Sequence, residues 1–146
     1  MAEISAEAKT LLDGLKEEAG IYRIVLSLST EELDLVKEAE LEKATTALSS
    51  KQQKLEQIAT IESRIKPHKS HWPEIKATLP SGPLDSFQDV LRELSDLLEK
   101  LISVERETEE TLSKQIGIVR RSVPAAAAEE RARKAYGTQK EGKKRN

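Results

Sequence analysis

The side chains best suited to chemistry are two histidines, His68 and His71, in the run PHKSHWPE, with Glu74 three residues further on. Two imidazoles and a carboxylate could hold zinc if the segment folded back on itself. However, the run lies between prolines, lacks the i, i+4 spacing that sets two ligands on one helical face, and supplies no fourth ligand. The plainer reading is a polar loop whose Trp72 closes one end of a helical bundle, and no metal is expected.

Carboxylates come in adjacent pairs, Glu31/Glu32, Glu109/Glu110 and Glu129/Glu130. Acid–base catalysis requires one carboxyl in an apolar or like-charged pocket that moves its pKa, and neighbours on solvated helix faces do not provide that. The six glycines are scattered and form no phosphate-binding loop. No serine sits in a nucleophile elbow. With no cysteine, disulfides and thiolate metal sites are excluded. The expectation is a protein without catalytic activity or cofactor.

The elements that would carry these residues are helices. Apolar residues recur at helical spacing from Ile4 to Leu28, with Leu11, Leu15, Tyr22, Val25 and Leu26 on one broad face and Ser5 as N-cap. Gly14 and Gly20 weaken this helix and point to close packing against a neighbour. Ser29 with Glu32 reads as a capping box, predicting a restart and a long helix from Thr30 to Lys66, stopped by Pro67. Leu41, Leu48 and Leu55 lie seven apart on it, while Lys51 and Glu62 interrupt the pattern. Four of the five prolines mark the next break. The final helix is predicted to open near Asp85 and to run through Phe87, Leu91, Leu94, Leu98, Leu101, Leu112 and Val119 to Val123, with a polar patch at Glu105 and Thr108.

Each long helix would have about 37 residues and span roughly 55 Å. Joined by a Pro-rich loop, the two should pack antiparallel, with the first helix over their shared groove. The expected fold is all-α: an elongated antiparallel three-helix bundle with two long coiled-coil-like helices, leaving room for a short fourth, C-terminal helix. Residues 1–123 would form the bundle domain and residues 124–146 a flexible or marginally helical tail.

Charged residues make up 34% of the chain and nearly cancel, to a net charge of −2. From Glu129 to Asn146, seven Lys or Arg against three Glu give +4, leaving −6 for the rest. This balance, with one Trp, two Tyr and one Phe, argues against nucleic-acid binding. No apolar run approaches the roughly 20 residues that cross a bilayer, and an acid stands early in MAEISAEAKT where a signal peptide would be basic. The chain therefore reads as soluble and cytoplasmic, without membrane insertion. Leu112, Ile116, Val119 and Val123, beside Ile118, crowd more than one face of the last helix, which suggests a groove for a partner's amphipathic helix.

The order of these segments resembles the FlgN family of flagellar type III export chaperones. The likeness begins in LLDGLKEEAGIYRIVLSLSTEELDLV. It continues through the run Lys51, Leu55, Ile58, Ile61 and Glu62 and the Leu-rich LRELSDLLEKLISVERETEETL, and ends at the pair Tyr136-Gly137. It covers nearly the whole chain. It implies a cytoplasmic chaperone that binds the C-terminal amphipathic helix of hook–filament junction proteins and delivers them to the flagellar export gate. It further implies that Tyr136 docks at that gate. The resting state is expected to be a monomer or a homodimer with the client groove self-occluded. A structural coiled-coil or scaffold module with no flagellar role explains the periodicity equally well but gives no reason for the Tyr-Gly tail.

Overall fold

The structure, a computed structural model, describes the backbone of residues 4–121 and the side chains of residues 4–117. It is an all-α bundle of four helices: α1 (Ala6–Lys37), α2 (Leu41–Lys69), α3 (Trp72–Thr78) and α4 (Ser81–Arg121). The short fourth helix is α3, in the connection between the long helices; a C-terminal one would lie outside the described residues, as does the proposed tail.

α1 begins where the sequence places it, with Ser5 Oγ accepting the Ala8 N–H at 3.1 Å. It does not stop at Leu28. Ser29 and Glu32 are buried mid-helix residues, so the capping-box pattern here is two polar side chains on one core-facing surface. The break falls instead at Glu38–Glu40. Ala39 adopts the left-handed conformation, at φ 60°. The N–H groups of Ala39 and Glu40 donate to the carbonyls of Val36 and Leu35 at 3.0 and 2.8 Å. That is a Schellman cap with alanine in the place usually taken by glycine, and α2 starts immediately after it.

Pro67 lies within α2, which runs one turn's remnant past it to Lys69. α4 opens at Ser81 rather than near Asp85, and Pro83 sits in its first turn, where a missing N–H costs nothing. Its 41 residues span about 62 Å.

α1 is the keel of the molecule. It packs along both α2 and α4, whose backbones approach one another at few points. The expected hairpin of two long helices with α1 laid over their groove is therefore corrected, since each long helix pairs chiefly with α1. Gly14 lies against Ile65 and Glu32 against Lys51, so α2 runs antiparallel to α1. Arg23 pairs with Glu93 and Ser29 with Glu105, so α4 runs parallel to α1. The main core joins Leu11, Leu12, Leu15 and Ala19 of α1 to Ile61, Ile65, Ile75, Phe87, Val90 and Leu94. Trp72 packs on its end, 4.9 Å from the Phe87 ring centroid. Close packing holds at Gly14, whereas a methyl group on Gly20 would meet nothing within 4 Å.

Candidate partner-binding face

α4 presents more apolar surface than the bundle covers. Phe87, Val90, Leu94 and Leu112 are buried, whereas Leu91 and Leu98 are about two-fifths exposed and Ile102 is 59% exposed. Successive spacings of seven and four set these three in one row, rotated slightly from the buried stripe. The sequence pattern assigns Leu91 and Leu98 to the core stripe; their exposure follows from their place on the flank of α4, rotated away from the stripe of Phe87, Val90 and Leu94 that faces the core. Leu55, on α2, is also exposed.

The residues expected to bind a client lie further along. Leu112 is buried with Val36 and Ala44 in a second, smaller core, and Ile116 packs half-buried against it. The Gln115 side-chain amide donates to the Val36 carbonyl, tying this part of α4 to the cap of α1. Val119 lies on α4 beyond the described side chains; Val123 and Tyr136 lie outside the described residues.

Between the two cores, the three long helices meet in an ionic layer. Lys51 Nζ, on a residue 5% exposed, donates to Glu32 Oε1 at 2.6 Å and to Glu105 Oε1 at 2.7 Å. Ser29 Oγ donates to the same Glu105 oxygen at 2.8 Å. Thr108, also buried, turns its hydroxyl to the Val104 carbonyl one turn back. The interruption at Lys51 and the Glu105 half of the polar patch are thus parts of one layer, while Thr108 satisfies its hydroxyl within α4. Removing one partner from such a layer is costly, because it strands a buried charge.

Two further polar clusters join α1 to the far end of α2. His68 and His71 hold their Nδ1 atoms 3.2 and 2.6 Å from one oxygen of Glu7, so the carboxylate they meet comes from α1 and not from Glu74. Hydrogen bonding to the imidazoles lowers the Glu7 pKa, and Glu7 raises that of His71. One oxygen of Glu18 is buried without a partner. Burial, followed by a hydrogen bond to Glu62, pushes the Glu18 carboxyl up to about 8. Glu62 stays ionised, held low by that bond and by Lys69. No group of three His, Cys, Asp or Glu among the described residues is arranged to hold a metal ion, and no helix among them is long and apolar enough to cross a membrane.

Compared with protein-family models, curated proteins and solved structures, the chain matches none of them.

Proposed function

We propose that the protein is a flagellar export chaperone of the FlgN kind, which binds the C-terminal amphipathic helix of hook–filament junction proteins and carries them to the export gate. The observation that carries this reading is the row Leu91, Leu98 and Ile102 left exposed along α4. A solvated helix gains nothing from three large aliphatic side chains in register, whereas a partner helix with a matching stripe gains their burial, about 1 kcal/mol for each. The order of sequence features described above supports the same reading. A contact of this size also lets the cargo go, as delivery requires.

Calorimetric titration of the full chain with the C-terminal helix peptide of the junction protein encoded in the same genome tests it. One-to-one binding near micromolar is the expected result. Absence of binding at high concentration, together with tight self-association, would replace the chaperone by a structural coiled-coil module. Tyr136 is assigned the docking contact with the gate: Tyr136→Ala should leave cargo affinity intact and weaken gate binding, and unchanged gate binding would remove that role.

A further inference from the structure

Leu55 belongs to the same surface as the α4 row. It follows Lys51 by one helical turn, and Lys51 reaches across to Glu105, which in turn follows Leu98 by seven residues. The flank of α2 that carries Leu55 therefore faces the flank of α4 that carries Leu91, Leu98 and Ile102. The two are separated by a seam that their backbones do not close. We infer that this seam, and not the C-terminal end of α4, is the docking site for a single amphipathic helix of a partner protein, an assignment that rests on the helix-binding reading above.

The seam has the dimensions and polarity of one helix. From Leu91 to Ile102 α4 rises about 16 Å, three turns. Gln52 and Ala59 on α2 and Ser95 on α4, exposed beside it, carry no charge, and the exposed charges Glu56, Glu99 and Arg106 stand on its outer edges. An apolar stripe with a charged rim selects a partner helix that is apolar on one face and polar on its flanks. The ionic layer of Lys51, Glu32 and Glu105 closes one end.

Two other occupants fit less well. The four exposed side chains offer on the order of 300 Å² of apolar area, short of the roughly 450–500 Å² of apolar surface within the ~800 Å² that each partner of a stable dimer buries. That argues against a second copy. Between Ser122 and Asn146 the large apolar side chains are Val123 and Tyr136, thirteen residues apart. Residues 122–146 therefore cannot supply anchors at i, i+4 and i+7.

The test uses the full chain and two probes: the junction-protein helix peptide and a designed 18-residue helix with leucines at i, i+4, i+7 and i+11. Leu98→Lys with Ile102→Lys should weaken binding of the designed helix at least tenfold, and Leu55→Lys should weaken it as well, with thermal melting unchanged. Ile24→Lys, on the face of α1 that carries Glu17, should have no effect. If the junction peptide fails while the designed helix binds and is lost with the lysines, the seam stands and the chaperone reading falls. If the junction peptide binds equally well to the lysine variants, the seam is overturned and the chaperone reading stands. No binding of either probe overturns the seam. So does wild-type self-association that the lysines abolish, which would make a second copy the occupant. A tenfold gain in probe affinity from Ala125→Lys with Ala128→Lys would assign the seam to residues 122–146 of the same chain and overturn it too.

Discussion

Gly14 and Ile65 lie in direct contact across α1 and α2: a methyl group built on Gly14 would stand 2.3 Å from Ile65 Cγ2. Ile65 is fully buried and cannot swing aside, so the absent side chain sets how closely the two helices approach. Gly14→Ala should lower stability by about 1–2 kcal/mol despite the better helix propensity of alanine. Gly20→Ala, with open space around it, should raise stability by about 0.5–1 kcal/mol. Urea unfolding of the two variants side by side checks this contrast; a gain at Gly14 would contradict the contact.

Ala39 bears the strain of the α1–α2 turn. A residue with a Cβ at φ 60° costs about 1 kcal/mol relative to glycine. Ala39→Gly should therefore stabilise the bundle by nearly that amount, with an unchanged denaturant slope. Ala39→Val should destabilise it by more, since a branched side chain tolerates the left-handed region poorly.

Lys51 neutralises a carboxylate that water does not reach. Lys51→Ala strands Glu32, which is 1% exposed, and should cost about 3 kcal/mol. Lys51→Met combined with Glu32→Leu removes both charges and should cost much less. A double-mutant cycle measures the coupling, and additivity of the two single variants would dissolve the pair.

Stability should fall as pH rises from about 5 to 8. Folded Glu18 holds its proton up to about 8, against an ordinary value of 4.5. Its contribution is thus complete below 4.5 and is lost by the time pH passes 8. His71, raised by Glu7, acts in the same direction: its contribution is complete below 6.5 and is lost as pH climbs through its folded value. Glu18→Gln should flatten the profile between pH 5 and 8, leaving the smaller slope from His71. Chemical denaturation at several pH values decides this, and a wild-type profile that rises over that range would exclude a protonated Glu18.

How far the sequence revealed this fold depended on how local each signal was. The helices are legible because apolar residues recur every three or four positions, and Ser5 caps α1 by a bond three residues long. Ser29 and Glu32 misled because the spacing of a capping box is also the spacing of two side chains on one buried face. The true break was hidden because Ala39 stands where a glycine would announce it. Lys51, Glu105 and Thr108 stood out singly as polar residues on apolar stripes, but the bonds from Glu105 cross 54 and 76 residues, and no periodicity encodes such pairings. The exposed row on α4 was hidden for the same kind of reason. Leu91, Leu94 and Leu98 look alike in the sequence, and only the arrangement of the helices around α1 separates the buried from the uncovered.

The three-residue turn at Glu38–Glu40 also bears on the order of folding. It joins two helices whose mutual contacts are the nearest long-range contacts in the chain, so closing that hairpin loses little loop entropy. α4 has to return from the far side of α3 to reach a keel that α2 has already half covered. The hairpin should therefore be formed in the rate-limiting step and α4 should arrive after it. Truncations at Leu33 and Ala47 would then slow refolding, while those at Leu94 and Leu112 would chiefly hasten unfolding. The reverse pattern in stopped-flow kinetics would make α1 and α4 the founding pair.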